Sequence, residues 1–222
     1  MRARANGIDL YYERAGKGAP LLLLHGNGED HTIFRETIPL LAQGWEVIAP
    51  DSRGHGQSEA APLHYADMAR DVAALIRVLG LPNPILCGFS DGGIVGLELA
   101  LRYPGLLRGL ILCGANADPA GLCFTSRAAM RVGYWFTRDP KLRLMLTEPN
   151  LTAADLHALT TPTLVLAGQR DLIRPAHTRY LAAQLPNARL RILPGETHGS
   201  YVIHSEKLAA IILPFLRELA RT

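Results

Sequence analysis

Short apolar runs and amphipathic segments alternate along this chain, and that alternation restricts the fold more than any other feature. "PLLLLHG" (20–26), "WEVIAPD" (45–51), "NPILCGFS" (83–90), "LRGLILCGA" (107–115), "TPTLVLAG" (161–168) and "ARLRILPG" (188–195) are too short for helices. Continuous apolar runs of this length suit strands buried on both faces. Between them lie segments of helical spacing: "HTIFRETIPLLAQG" (31–44), "YADMARDVAALIRVLG" (65–80), "DGGIVGLELALRYP" (91–104), "RPAHTRYLAAQLP" (174–186) and "SEKLAAIILPFLREL" (205–219). Strands and helices in turn predict an α/β fold: a mainly parallel twisted sheet of about eight strands with helices on both faces. At the front, "ARANGIDLYYERAGKGAP" reads as two strands around Asn6-Gly7, which tolerate the positive φ of a tight hairpin. That hairpin adds antiparallel strands at one edge. From Asp118 to about Thr160 the rhythm breaks into two or three short helices, an insertion of residues 118–160 in one domain spanning 1–222.

Ligands of open parallel sheets bind beyond the carboxyl ends of the strands. The loops at those ends hold the reactive residues: His25-Gly26-Asn27-Gly28, Asp51 to Ser58, Gly88 to Gly92, Gly168 to Asp171, and Pro194 to Gly199. Ser90 sits between a strand and a helix with Gly88, Gly92 and Gly93 around it, so the backbone can hold a strained pose with the hydroxyl forward. A serine hydroxyl needs a base to take its proton, and an imidazole titrates in the right range to do so. His198 is the candidate base and Asp171 the candidate acid that fixes its tautomer. Asp171 is also a suitable cap for the helix that follows, so that structural reading stands beside the catalytic one. Ser90 opens a helix, where free amides favour negative charge. The Asp91 amide and the Asn27 amide are candidate donors to an oxyanion.

The G-x-S-x-G turn, the H-G-x-G loop and the chain order Ser, Asp, His resemble the α/β-hydrolase family. "DSRGHGQS" (51–58) resembles its D-x-R-G-x-G-x-S loop, and "GFSDGG" is similar to small serine esterases and valacyclovirase-like ester hydrolases. The resemblance covers Leu21 to the C-terminus. It implies Ser90 as nucleophile, His198 as base, Asp171 as acid, and the Asn27 and Asp91 amides as oxyanion hole. Asp118 is the alternate acid, because in some members the acid follows the sixth strand. Phe89 and Trp135 are expected to line the substrate pocket, and residues 118–160 to form a short helical lid. The implied reaction is cleavage of an ester-like bond of a small molecule, with no cofactor. Thioester, carbon–carbon or perhydrolytic chemistry on the same triad, or a receptor of hydrolase fold, are the alternatives. Dehalogenase and epoxide hydrolase chemistry needs a carboxylate where Ser90 stands.

Composition narrows the partners. The formal net charge is only +3, and the basic residues Arg127, Arg131, Arg138, Lys141 and Arg143 read as the solvated face of a helix, so no nucleic acid is expected. No run approaches the ~20 apolar residues of a membrane span, and no membrane partner is expected. Cys87, Cys113 and Cys123 lack framework spacing, which with the absence of a signal segment points to reduced thiols and a cytoplasmic protein. No histidines pair at metal-ligand spacing, and no metal is expected. His25 and His55 are expected to support loop backbone. Oligomeric state is not legible.

Overall fold

In the computed structural model, which describes residues 1–221, eight strands form one sheet in the order β1-β2-β4-β3-β5-β6-β7-β8. They are β1 Arg2–Ala5, β2 Ile8–Ala15, β3 Ala19–Leu24, β4 Trp45–Pro50, β5 Ile85–Phe89, β6 Gly109–Cys113, β7 Thr163–Arg170 and β8 Ala188–Thr197. β1 pairs antiparallel with β2 and β2 antiparallel with β4, whereas β3 to β8 run parallel. The hairpin turns at Asn6 (φ 49) and Gly7 (φ 83), the positive-φ pair expected of that dipeptide.

The two-residue period of the strands divides the core. Leu22 and Leu24 of β3, Leu86 of β5 and Leu110 and Leu112 of β6 face one layer, packed under α2 (Tyr65–Val78), α3 (Asp91–Arg102) and α7 (Pro175–Gln184). Leu21, Leu23, Ile85, Cys87, Ile111 and Cys113 face the other, under α1 (Ile38–Leu41) and α8 (Lys207–Leu219). Three further helices, α4 (Phe124–Thr137), α5 (Pro140–Thr147) and α6 (Ala153–His157), lie between β6 and β7 in the chain. The expected helix over 31–44 is broken into a 3-10 turn, His31–Phe34, and the four-residue α1. Pro39 explains the break: it lacks an N–H and its ring clashes with the carbonyl four residues back, so it is tolerated only in a first turn.

The strand order reverses at β3, whose neighbours are β4 and β5. The crevice at such a switch point lies between the loops after β3 and β5. These carry Gly26-Asn27 and Ser90. The approach is close: a Cβ on Gly92 would lie 2.3 Å from the Leu24 carbonyl oxygen and 2.8 Å from that of His25. Gly92→Ala is therefore expected to cost about 3 kcal/mol, the upper end for overpacking, because main chain rather than a flexible side chain must move. A melting temperature unchanged from the parent would contradict the close approach.

Candidate active site

Ser90 adopts φ 51, ψ −116, a region that a residue with a Cβ rarely visits. The turn is held by the Ser90 amide donating to the Cys113 carbonyl (2.8 Å) and by the Gly93 and Ile94 amides donating back to the Ser90 carbonyl. A Cβ on Gly88 would fall 2.2 Å from the Gly92 carbonyl oxygen, so this elbow closes only on glycine.

His198 follows β8 directly. Its Nε2 lies 3.1 Å from Ser90 Oγ and its Nδ1 lies 2.6 Å from Asp171 Oδ1. Asp171 also accepts from the amides of Ile173 (3.0 Å) and Gly168 (3.1 Å). Burial alone would raise its carboxyl, but the bond and charge of His198 together with these amides hold it below the ordinary value. The cap of α7 is Arg174, so the capping alternative for Asp171 does not describe this structure. Gly114, the residue after β6, makes room for the imidazole: a Cβ there would lie 2.7 Å from His198 Cε1. Phe89 is buried and packs its ring against that of His198, with centroids 4.9 Å apart.

Asn27 joins three segments. Its side-chain amide donates to Asp91 Oδ2 (2.8 Å) and to the Lys141 carbonyl of α5 (3.1 Å). Among the described residues no hydrogen-bond acceptor engages the backbone amide of Asn27. The next glycine back is different: Glu29 accepts from the Gly26 amide (3.0 Å). His25 braces the same loop from behind, its Nε2 accepting from the Ser52 amide at 2.9 Å, and burial lowers its pKa to about 4, so it stays neutral. Asp51 to Ser58 is fixed in turn by Asp51, which accepts from the amides of His31 and Gln57, and by the buried two-pronged pair of Arg53 with Asp71. His55 does likewise, its Nδ1 lying 2.9 Å from the Arg53 carbonyl, so both histidines support backbone, as expected.

The Asp91 side chain links the elbow to the Asn27 loop. It does not fold onto its own helix but reaches Asn27, and burial pushes its carboxyl up to about 6 against the opposing bond from Asn27. The folded state prefers the protonated form more than the unfolded chain does, so stability falls as pH rises from about 4 through about 6. Asp91→Asn removes that penalty while keeping an acceptor for Asn27. The variant is expected to be more stable by about 3 kcal/mol at pH 8, with the gain gone by pH 4. Urea unfolding at both pH values measures this; no gain at pH 8 would refute it.

A narrow pocket beside Ser90 is lined by Tyr65, Asp91, Asn116, Leu122, Met145 and Glu148. The buried Tyr65 hydroxyl has no hydrogen-bond partner within the protein. Neither Phe89 nor Trp135 lines this pocket. Phe89 backs the imidazole instead, and Trp135 is 65% exposed, edge-on to Phe136. Apart from Asp91, which starts α3, the pocket residues come from α2, the loop after β6 and the end of α5, whose inward faces periodicity does not reveal. Asp118 accepts from the Ala120 amide and stands 3.8 Å from His177, away from His198. Asp30, His31 and Asp51 are grouped closely enough to hold a cation, yet their atoms already bond Thr32, each other and loop amides.

A sequence model of the family described as alpha/beta hydrolase fold matches residues 19–144. The serine hydrolase BPHL of Mus musculus is 26% identical over 97% of this chain and 86% of its own. A 2-hydroxy-6-oxo-6-(2'-aminophenyl)hexa-2,4-dienoic acid hydrolase of Metapseudomonas resinovorans is 26% identical over 97% of this chain and 90% of its own. Among solved structures, a thermophilic esterase from Thermogutta terrifontis superposes with a TM-score of 0.82 at 26% identity, over 99% of this chain and 98% of that one.

Proposed function

The chain belongs to the alpha/beta hydrolase fold family, and on that premise we propose that it is a serine hydrolase cleaving a carboxylic ester-like bond of a small molecule. The unbroken relay from Asp171 through His198 to Ser90 carries this reading. Ser90 Oγ attacks the substrate carbonyl while His198 Nε2 takes its proton. The resulting oxyanion lies against the amides of Asn27 and Asp91, where each donor contributes about 3 kcal/mol. His198 then returns the proton to the leaving oxygen, which leaves an acyl group on Ser90. Water, deprotonated by the same nitrogen, releases the acid product. Asp171 stays ionised throughout and stabilises the imidazolium.

Residues 118–160 act as a short lid on a single hydrolase domain. The alignment to the dienoic acid hydrolase runs over 265 positions, more than the 222 residues of this chain, so that relative carries segments with no counterpart here. The bond type is tested by a panel of p-nitrophenyl ester, thioester, carbamate and vinylogous diketone substrates. The ester is expected to give the highest kcat/KM. Faster turnover of the diketone would move the assignment to carbon–carbon hydrolysis. A fluorophosphonate probe should label Ser90, and mapping the label elsewhere would remove Ser90 from the mechanism.

A further inference from the structure

Helix α4 carries an apolar stripe that no other described element covers. Phe124, Val132, Trp135 and Phe136 are 77%, 58%, 65% and 72% exposed, and no residue of the helix is buried. At 3.6 residues per turn, Phe124, Ala128, Val132 and Trp135 lie along one line with Phe136 beside it. Arg127, Arg131 and Arg138 flank that line on one side. From Phe124 to Arg138 there is no carboxylate, and the Asp139 side chain is occupied by the Lys141 amide at 2.8 Å. Large exposed apolar patches mark interaction sites.

An occupant must therefore accept aromatic rings and carry negative charge. A second copy docked face to face through this helix would set its arginines against the same arginines, with no acid on the helix to answer them. A bilayer containing anionic phospholipid meets both conditions: Trp and Phe suit the headgroup boundary, and arginines suit its negative surface. We propose that α4 is an in-plane docking helix for an anionic phospholipid surface. The helix starts at the rim of the candidate active site. Leu122, which lines the pocket beside Ser90, pairs with Ile173, and the Cys123 amide donates to the Leu172 carbonyl at 2.8 Å. Docking through this helix would therefore bring the lipid surface close to the rim of the site. The absence of a membrane span does not bear on this, because a helix lying in the interface needs no spanning length.

The test is co-sedimentation of the full chain with vesicles of phosphatidylcholine alone and of phosphatidylcholine with 30 mol% phosphatidylglycerol. Binding is expected only to the anionic vesicles, falling with salt, with a blue shift of emission from Trp135 and none from the buried Trp45. Replacing Arg127, Arg131 and Arg138 by serine should weaken binding about 100-fold. Trp135→Ser with Phe136→Ser should abolish it. None of these side chains is buried, and thermal melting of each variant checks that the fold is kept. The readout does not use hydrolysis, so it stands or falls apart from the proposed reaction. Absence of binding to anionic vesicles, equal binding to both compositions, or a dimer that the Trp135→Ser, Phe136→Ser variant dissociates would each overturn the proposal.

Discussion

Ser90→Ala is expected to lower kcat by about 10⁵-fold or more while leaving the melting temperature within a few degrees of the parent. The size follows from what is lost. Without Oγ there is no atom to form the acyl-enzyme, and water must attack the carbonyl directly; what survives is binding and the oxyanion donors. The fold should be indifferent, because Oγ is bonded only to His198 and the turn is secured by main-chain hydrogen bonds of residues 90, 93 and 94. Removing a Cβ-borne hydroxyl does nothing to the unusual φ of residue 90, since alanine carries the same Cβ. Stability should be equal or slightly higher, as often when a strained functional group is simplified. The combination with His198→Ala is the sharper measurement. If the two side chains act as one unit, the double variant is no slower than either single one. Multiplicative losses would mean that His198 serves some step in which Ser90 takes no part.

Much of this arrangement is legible in the sequence because each part is written locally. The elbow needs Gly88 and Gly92, where a Cβ would strike main chain, and both are visible in "GFSDGG". Asp171 and His198 each follow a strand of the parallel sheet, and a parallel sheet brings all such positions to one edge. The features that escape are those decided by long-range packing. Trp135 reads as a pocket residue because it is large, apolar and in the insertion, but on a helix none of whose residues is buried that side chain can turn outward. Tyr65 and Glu148 reach the pocket from segments 83 residues apart, where the Glu148 carboxylate accepts from the Tyr65 amide at 3.0 Å. Nothing in the period of either segment announces that meeting. The Asn27–Asp91 bond is similar: each residue stands out for its backbone amide, while the link between their side chains depends on the approach of two loops. The segment 31–44 shows the opposite failure, a helical period overruled by the backbone chemistry of Pro39.

Asp171→Asn and Asp118→Asn should separate by about four orders of magnitude in kcat. In the first variant the asparagine fills the same space, but one of its two terminal atoms becomes a donor facing groups that already donate: the amides of Gly168 and Ile173 and the Nδ1–H of His198. With the nitrogen in the place of Oδ1, the imidazole loses its acceptor, the tautomer with a proton on Nδ1 is no longer favoured, and Nε2 is protonated toward Ser90 when it should be free to receive. In triads of this kind that change lowers kcat about 10⁴-fold without disturbing the geometry. Stability should fall as well, and the sign is fixed by the depressed carboxyl. Asp171 stabilises the fold above its ordinary pKa of about 4 and loses that contribution as pH falls, so the deficit of the variant is largest at neutral pH and fades in acid. Asp118→Asn leaves all of this untouched. Asp118 Oδ1 holds the Ala120 amide at 2.7 Å, an acceptor role that an asparagine oxygen can take over, and its nearest imidazole belongs to His177. Steady-state kinetics at neutral pH should find Asp118→Asn within about twofold of the parent, the range expected when only a surface cap is altered. A larger loss for Asp118→Asn than for Asp171→Asn would mean that the acid of the relay is supplied from the end of β6 in a conformation where residue 118 has swung to His198.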